Sequence, residues 1–221
     1  MEIVAIDGVA SSGKGTLAKE LAKRLSYIHL DTGALYRCAT VQILNCKINP
    51  EDEEKVVAAV QNSKIEAKLI GGIVHYFLNG KDLSTSNSLR TPEVNNTVAK
   101  ISKYPRLREQ IRSIQRQVAK SGNCVVEGRD ITTVVFPNAK YKFFITASTK
   151  IRALRRQKDY AAQGIIVPIE EVEKMIIERD MSDEEREESP LVCPPDAHVI
   201  DNGKNTVEQS INEMLSIINS K

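Results

Sequence analysis

Residues 3–16 read IVAIDGVASSGKGT, and the order of residue types in this segment indicates the class of fold. The apolar run at residues 3–6 is typical of a buried strand, and it ends where glycine first appears. After Gly15, leucines recur at every fourth position, which indicates the buried face of a helix. The stretch therefore predicts a strand, a glycine-rich loop and a helix, in that order.

The loop has the phosphate-binding pattern G-x-x-x-x-G-K at residues 8–14. Glycines let backbone N–H groups turn toward one centre, the helix N-terminus adds partial positive charge, and Lys14 supplies a full charge. A chance glycine turn is the alternative, but the spacing and both flanking elements would have to coincide. The predicted ATP-binding residues of this P-loop are Gly8, Val9, Ala10, Ser11, Ser12, Gly13, Lys14, Gly15 and Thr16.

Composition fits an ordinary globular chain, since 41% of the 221 residues are apolar and 27% are charged. The net charge of +2 gives no general attraction to nucleic acid or to an anionic membrane. Apolar runs are only a few residues long, so we expect no membrane span and a cytoplasmic location. The 4 cysteines lack the spacing of a zinc site, and we expect reduced thiols.

Strand-like and helix-like patterns alternate along the rest of the chain, without a repeat or a linker. Further buried-type runs lie at residues 27–30, 124–126, 141–145 and 198–200. Helical patterns begin near Pro105 and at Thr206, where Gln209 completes a capping box. This alternation predicts an α/β domain in which helices cover both faces of a parallel sheet.

One segment, residues 65–83, breaks the alternation. Its alternating apolar residues are interrupted by Gly71-Gly72 and by Asn79-Gly80, which are hairpin turn signals. We predict three short strands that form a small antiparallel unit inserted into the parallel core. It could grip a substrate or be a surface hairpin without a function.

Polar residues follow two of the predicted strands. Residues 31–37 read DTGALYR and residues 127–130 read EGRD. Open α/β sheets bind ligands at the carboxyl ends of their strands, so Arg37 and Arg129 should meet at the same edge as the P-loop. A solvated surface arginine is the alternative for each.

Arginines also crowd residues 152–156 and recur at the end of a helix that Pro168 opens. The composition alone is compatible with a solvated charged face. However, guanidinium forks match phosphate oxygens two at a time and neutralise a phosphoryl group during its transfer. Arg179 and Arg186 are seven residues apart, so we predict that one continuous helix directs both toward the same phosphoryl group.

Four motifs together resemble those of the bacterial cytidylate kinase family. They are GxxxxGKGT at 8–16, LDTGALYR at 30–37, EGRDITTVVFP at 127–137, and R-x-x-x-D-x-x-R at 179–186 followed by SPL at 189–191. The resemblance extends over essentially the whole chain. It implies transfer of the γ-phosphoryl group of ATP to CMP or dCMP, with Mg²⁺, on a P-loop kinase core with a five-stranded parallel sheet.

The family pattern also implies an organisation and a set of roles. Within a single domain, 1–221, a CMP-binding insertion would span about 62–94 and a lid about 152–168. The implied catalytic residues are Lys14, Arg129, Arg179 and Arg186. The implied CMP-binding residues are Thr32, Tyr36, Arg37, Arg108, Arg129, Asp130, Arg179, Asp183 and Arg186. Arg155 would join the ATP-binding residues, and Thr16 would face Mg²⁺ because GKGT is the form of this motif in nucleoside monophosphate kinases.

Two positions depart from the family pattern. Thr132 stands where the family usually has glycine. Ala99 stands where the family commonly has a serine near the base, so one hydroxyl contact is absent.

The expected partners are ATP and CMP or dCMP, with neither nucleic acid nor membrane, and the expected oligomeric state is a monomer. Another nucleoside monophosphate kinase of the same fold is the nearest alternative, because the P-loop does not identify the acceptor. A P-loop switch that acts through a partner is a further alternative, although the guanine-reading pattern N-K-x-D is missing from the sequence.

Overall fold

A parallel sheet forms the centre of the structure, a computed structural model that describes residues 1–85 and 87–220. Ser86, within the predicted insertion, and Lys221, the last residue of the predicted domain, lie outside the described residues. The strands are β1 (Ile3–Gly8), β2 (Ile28–Asp31), β3 (Ile65–Ile70), β4 (Ile73–Leu78), β5 (Lys81–Asp82), β6 (Cys124–Glu127), β7 (Tyr141–Thr146) and β8 (His198–Asp201). The helices are α1 (Lys14–Leu25), α2 (Thr32–Asn45), α3 (Glu53–Gln61), α4 (Pro92–Ile101), α5 (Pro105–Ala119), α6 (Thr149–Ala161), α7 (Ile169–Glu184) and α8 (Val207–Asn219).

The central sheet has the strand order β2-β6-β1-β7-β8 in the described residues, and neighbouring strands pair in parallel. The predicted five-stranded parallel sheet is therefore confirmed. Strand β1 lies in the middle, so the loop that follows it emerges at the centre of the carboxyl edge. Sheets of this kind bind ligands at that edge.

Helices cover both faces of the sheet because the side chains of β1 alternate between two buried clusters. Ala5 packs with Leu35 and Ile111, from α2 and α5. Ile6, on the other face, packs with Leu21 of α1 and with α8. The capping box at the start of α8 is present as the sequence predicts.

The segment from β3 to β5 forms a separate antiparallel sheet in the order β3-β4-β5, which confirms the predicted small unit. Its two tight turns hold Gly72 and Gly80 at φ 82° and 83°, in the left-handed region that glycine tolerates. One face of this sheet packs on α2 through Tyr76 and Leu78, which belong to the core cluster of that side. The unit therefore adjoins the helix that carries the DTGALYR motif.

Helices α6 and α7 pack against each other around a small cluster of their own, formed by Ala153, Tyr160, Val172 and Ile176. The predicted lid, 152–168, contains most of α6 and the connection to α7. Helix α7 ends at Glu184, so Arg186 lies beyond it in an irregular segment. The prediction that one continuous helix carries Arg179 and Arg186 is wrong, because the chain turns after Glu185 and Ser189 adopts a positive φ of 55°.

None of the helices in residues 1–85 and 87–220 combines the length and the apolar character that crossing a membrane requires.

Candidate active site

The P-loop joins β1 to α1 at the centre of the carboxyl edge. Its first residue, Gly8, has φ 153°, and a Cβ atom there would come within 2.1 Å of the carbonyl oxygen of Ile145 on β7. Only glycine fits so close to the neighbouring strand. The chain can therefore turn sharply out of the sheet and begin α1 at Lys14.

Three arginines of α6 hold this loop. Arg152 Nη1 donates to the carbonyl oxygen of Ala10 at 3.1 Å, and Arg155 Nη1 donates to that of Ser12 at 2.9 Å. Arg156 Nε donates to Ser11 Oγ at 3.0 Å. The basic segment of the sequence is thus engaged with the P-loop and is not simply a solvated face.

Arg155 also donates, through Nη2, to the carbonyl oxygen of Asn202 at 2.8 Å. Its guanidinium thus supports the loop in this structure, and its predicted contact with ATP stays a prediction. Asn202, which is buried, donates from Nδ2 to the carbonyl oxygen of Ser12 at 2.7 Å. Sequence reasoning missed Asn202, because an asparagine that follows an apolar run is an ordinary turn residue.

Asp180 on α7 completes the support of the loop and was not predicted either. It pairs with Arg152 at 2.6 Å and accepts a bond from the backbone N–H of Ala10 at 3.3 Å. The sequence does contain one indication of Asp180, because this residue directly follows Arg179 in the last motif. The α6–α7 pair is therefore joined to the P-loop by both partners of an ion pair.

Lys14 lies among charges of both signs at the start of α1. Its pKa is lowered from 10.5 to about 7, mainly by burial and also by the neighbouring Arg129, whereas Glu127 and Asp31 act in the opposite direction. These residues come from α1, β2 and β6 and their following loops. The structure thus brings the P-loop lysine together with the EGRD and DTGALYR motifs, as the sequence predicts.

The standard P-loop motif has serine or threonine directly after its lysine, whereas this chain has Gly15 there. Glu127 accounts for the difference. A Cβ atom on Gly15 would lie 2.9 Å from Glu127 Oε1, so the buried carboxylate occupies the space that a serine or threonine would need. His29 Nε2 lies 3.2 Å from the same oxygen. Thr16, the predicted ligand of Mg²⁺, is exposed on the first turn of α1.

The side chains of Thr16 and Glu127 carry oxygen atoms of the kind that Mg²⁺ favours as ligands, which are hydroxyl, carboxylate, phosphate and water oxygens. Thr16 offers a hydroxyl, and Glu127 offers a carboxylate beside Gly15. The described residues contain no group of three or more acidic, histidine or cysteine side chains able to hold a metal by themselves. Most ligands of an ion here would therefore come from nucleotide phosphates and water.

The DTGALYR motif forms the end of β2 and the start of α2. Asp31 caps the helix by accepting from the N–H of Ala34 at 3.2 Å, and it pairs with Arg90 at 3.0 Å. Thr32 Oγ1 donates to the carbonyl oxygen of Glu127 at 2.7 Å, which ties α2 to β6. Burial lowers the pKa of Arg37 to about 10, so its guanidinium is charged at neutral pH.

Arg108 and Asp130 form a buried ion pair, with Nη2 and Oδ2 2.6 Å apart. Arg108 Nη1 also donates to the carbonyl oxygen of Ser102 at 2.8 Å, and Cζ lies 5.3 Å from the centre of the Tyr36 ring. The three predicted CMP-binding residues Tyr36, Arg108 and Asp130 are thus together. Ala99 provides no side-chain hydroxyl, but the hydroxyl of Ser102 donates to its carbonyl oxygen at 3.3 Å.

Asp183 is the centre of an arginine cluster. Its carboxylate accepts from Arg129 Nε at 2.8 Å and from Arg179 Nε at 3.0 Å, and it pairs with Arg186 Nη1 at 3.4 Å. Burial opposes ionisation of Asp183, but the three arginines outweigh it and hold the pKa well below its usual range. Arg186 is fixed in place as its Nε donates to the carbonyl oxygen of Ser189 at 2.6 Å.

Five arginines of this region each keep a buried nitrogen that has no hydrogen-bond partner among residues 1–85 and 87–220. These nitrogens are Arg37 Nε, Arg108 Nε, Arg112 Nε, Arg179 Nη1 and Arg186 Nη2. Buried polar groups are nearly always paired, so unpaired guanidinium N–H groups at a ligand-binding edge indicate the place of an anionic ligand.

Known proteins are similar to this chain in sequence and in fold. A cytidylate kinase of Ligilactobacillus salivarius is 41% identical over 99% of this chain and 96% of its own, and one of a Geobacillus species is 40% identical with the same coverage. A solved structure of shikimate kinase from Bacteroides thetaiotaomicron shares the fold, with a TM-score of 0.50, 12% identity, and coverage of 99% of this chain and 98% of that one. Because residues 4–220 match the cytidylate kinase family, this chain belongs to that family.

Proposed function

We propose that the P-loop and the arginine cluster transfer the γ-phosphoryl group of ATP to CMP or dCMP, giving ADP and CDP or dCDP. The observation that carries this proposal is the set of buried guanidinium nitrogens that have no partner in the described part of the chain. One of them belongs to Arg37, whose charge acts on the P-loop lysine. Phosphate oxygens would pair with them, and a phosphoryl group in transfer needs this kind of neutralisation.

ATP would bind with its β- and γ-phosphates in the loop Gly8–Thr16, where Lys14 reaches the outer phosphates. The contacts from α6 to Ala10, Ser11 and Ser12 fix the loop before the nucleotide arrives. Such preorganisation means that the loop does not lose freedom at the moment of binding.

The acceptor would lie between α2 and α5. Thr32, Tyr36 and Arg37 would line its pocket, and Arg37 would meet its phosphate. Asp130 and Arg108 would read the cytosine ring, where a carboxylate accepts from the N4 amine and a guanidinium donates to N3 or O2. The buried ion pair between them sets the position of both groups before CMP binds.

The reaction would need no catalytic base from the protein. The nucleophile is a phosphate oxygen of CMP, and since a phosphate monoester has a second pKa of about 6, that group is already mostly dianionic at neutral pH. The task of Lys14, Arg129, Arg179 and Arg186 is to hold two like-charged phosphates in line and to neutralise the group in transfer.

Mg²⁺, when bound, neutralises charge on the ATP phosphates and holds them in one geometry. Thr16 would face the ion with its hydroxyl, and Glu127 would offer a carboxylate oxygen. The substrate phosphates and water would supply the other ligands.

Closure would exclude water, which would otherwise accept the phosphoryl group. The lid 152–168 and the insertion 62–94 are the parts that we expect to close, within a single domain 1–221. The first residues of the lid already contact the P-loop, so closure would move the rest of it. We further propose a monomeric, cytoplasmic enzyme whose partners are ATP and CMP or dCMP, and which binds neither nucleic acid nor membrane.

Initial rates of ADP formation test the proposal. They would be measured with ATP, Mg²⁺ and, separately, CMP, dCMP, UMP, AMP and GMP, and Lys14→Met would serve as the control that keeps the length of the side chain without its charge. We expect ADP formation to depend on the acceptor and to be fastest with CMP or dCMP.

Two outcomes would contradict this proposal. Faster turnover of AMP or GMP would indicate another nucleoside monophosphate kinase. ADP formation that no acceptor stimulates would indicate a nucleotide-binding switch.

A further inference from the structure

Asp7 is fully buried at the end of β1, immediately before the P-loop. Its carboxylate accepts three hydrogen bonds from the segment after the EGRD motif. Oδ1 accepts from the N–H of Ile131 at 3.0 Å, and Oδ2 accepts from the N–H of Thr132 at 2.7 Å and from the Thr132 hydroxyl at 2.6 Å. The strand that leads into the P-loop and the segment that follows the EGRD motif are thus linked through a side chain that lines neither pocket in the proposal above.

A second bond anchors the other end of the same segment to β1. The N–H of Gly128 donates to the carbonyl oxygen of Ile6 at 2.9 Å. Arg129 and Asp130 therefore lie in a span of two residues between two anchors, both on β1. Because the span is so short, the anchors determine where the two side chains leave the backbone.

The segment that follows is a tight turn and not a regular strand. Residues Ile131–Val135 form one π-helical turn, in which the N–H groups of Val134 and Val135 both donate to the carbonyl oxygen of Asp130. The N–H groups of Ile131 and Thr132 are at the start of this turn, where a helical turn leaves its donors without internal partners. Asp7 supplies the acceptors that these donors lack.

We propose that Asp7 and Thr132 are positioning residues that set the place of Asp130 against the base and of Arg129 against the phosphates. Of the three donors to Asp7, the Thr132 hydroxyl is the one that belongs to a side chain, so a substitution can remove it alone. Together the three bonds direct both oxygens of the Asp7 carboxylate toward the turn.

The charged form of Asp7 depends on these donors. Burial raises the pKa of Asp7, and the nearby Asp130 also raises it, whereas the Thr132 hydroxyl is the strongest of the donors that favour the charged carboxylate. Loss of the hydroxyl would weaken the hold of the carboxylate on the turn. We expect the turn to shift by a fraction of an ångström, and displacements of that size reduce catalysis when they reach reacting groups.

The inference rests on the proposed function, and a set of threonine variants tests it. Thr132→Val removes the hydroxyl at nearly constant volume, and Thr132→Ser keeps it. Thr133→Val is the matched control, because the buried hydroxyl of Thr133 has no hydrogen-bond partner in the described part of the chain. The measurements are KM for CMP, KM for ATP, and kcat/KM for CMP against UMP.

For Thr132→Val we expect KM for CMP to rise about three- to tenfold and the CMP to UMP ratio to fall by a similar factor, while KM for ATP changes less than about twofold. Thr132→Ser and Thr133→Val should both behave like the wild type. A purely structural role would lower Tm in Thr132→Val and leave the KM split and the base ratio unchanged, which would overturn the proposal.

Hydrogen exchange on the wild-type protein tests the anchors without any variant. The amides of Ile131 and Thr132 should exchange as slowly as those of β1, at least about tenfold more slowly than the amides at residues 138–140. Exchange at the rate of those residues would overturn the inference even if Thr132→Val did not fold. An inactive wild type would contradict the proposed function, whereas an active wild type with an unchanged Thr132→Val variant would contradict only this inference.

Discussion

Arg129 Nε donates a 2.8 Å hydrogen bond to Asp183 Oδ2, and this bond joins the EGRD loop to α7. The same carboxylate holds Arg179 and Arg186, so one buried negative charge organises three positive ones. Without it, the three guanidinium groups would repel each other in a site that water reaches poorly. Asp183 therefore determines how much positive charge this part of the site can hold in the absence of a ligand.

Asp183→Asn should reduce kcat/KM for CMP by at least about a hundredfold, because the arginines lose their common anchor. It should also lower the free energy of unfolding by about 3 kcal/mol, since it removes one partner of a buried ionic cluster. Steady-state kinetics and urea unfolding measure the two effects. A variant that matches the wild type in both would show that the arginines hold their places without Asp183.

The same variant gives a test by pH. The pKa of Asp183 is held below its ordinary value of 3.8, so its stabilising contribution is complete above that value and is lost only as the pH falls through the lower, folded-state pKa. The stability difference between the wild type and Asp183→Asn should thus be constant from about pH 5 to pH 8. A difference that already shrinks across that range would contradict the low pKa.

Lys14 should take up a proton when ATP binds. Burial lowers its pKa from 10.5 to about 7 in the free protein, and the phosphates of a bound nucleotide would raise it again. At pH 8.5 the free lysine is mostly neutral and the bound one is charged, so binding of a non-hydrolysable ATP analogue should take up about one proton. Affinity should fall as the pH rises above about 7.

Calorimetric titrations in two buffers with different ionisation enthalpies measure this uptake, and Lys14→Met is the control. The difference between the wild type and Lys14→Met isolates the lysine from the titration of the nucleotide itself. Equal proton uptake by both proteins would show that Lys14 is already charged before ATP arrives.

The sequence was a sufficient guide to the fold because its strands end at recognisable turn residues. The run at 3–6, the leucines after Gly15 and the two hairpin signals all predicted elements that the structure contains. The end of α7 was not predictable in this way. The charged residues at 180–186 suit a helix throughout, but after Glu184 the chain turns back, so that the N–H of Leu191 donates to the carbonyl oxygen of Asp183 and Arg186 Nε donates to that of Ser189.

The residues of the site also differ in whether the sequence predicts them. Arginines that could meet phosphate directly were predicted from the motifs, because their chemistry identifies the ligand. Residues that act through the backbone were missed, among them Asp7, Asn202 and Asp180. Each of them makes a hydrogen bond to a segment at least 120 residues away in sequence, so no local pattern reveals that partner.

Arg186→Ala should lower kcat far more than it weakens ATP binding. Arg186 Nη2 is one of the buried nitrogens without a partner in the described residues, and its interaction with phosphate oxygen should be strongest as charge develops during transfer. We expect kcat to fall about a thousandfold while Kd for ATP changes less than about threefold. Arg106→Ala, which removes an exposed arginine paired with Glu54, is the control. An unchanged kcat in Arg186→Ala would return this residue to a structural role.

The antiparallel unit Ile65–Leu83 should become ordered when CMP binds. Its Tyr76 hydroxyl accepts a 2.9 Å bond from the N–H of Asp31, at the start of the DTGALYR motif, so a ligand that engages α2 also engages the unit. Hydrogen exchange with and without CMP measures the effect, and we expect at least about fivefold slower exchange in β3 and β4. The amides of α8, on the other face of the central sheet, should not change. Protection confined to the P-loop and the edge of the sheet would show that the unit does not contact the acceptor.

Base choice should depend on the charge of Asp130. Cytosine presents an N4 amine beside the N3 acceptor, whereas uracil presents an O4 acceptor beside an N3–H donor, so a carboxylate suits cytosine and opposes uracil. Arg108 keeps this carboxylate in place across 2.6 Å, and both side chains are buried, so a mismatched base would leave polar groups unpaired. A hydrogen bond to a charged group is worth about 1.5–3 kcal/mol, and Asp130→Ala should therefore lower the CMP to UMP ratio of kcat/KM about ten- to a hundredfold.

Asp130→Asn separates base reading from the loss of the ion pair. Its amide can turn an oxygen toward the N4 amine of cytosine or an NH₂ group toward O4 of uracil, so the variant should accept both bases, with activity on UMP equal to or above that of the wild type. Steady-state kinetics with both acceptors measure the ratio directly. If both variants lose activity on CMP and UMP in equal proportion, Asp130 serves to hold Arg108 and does not read the base.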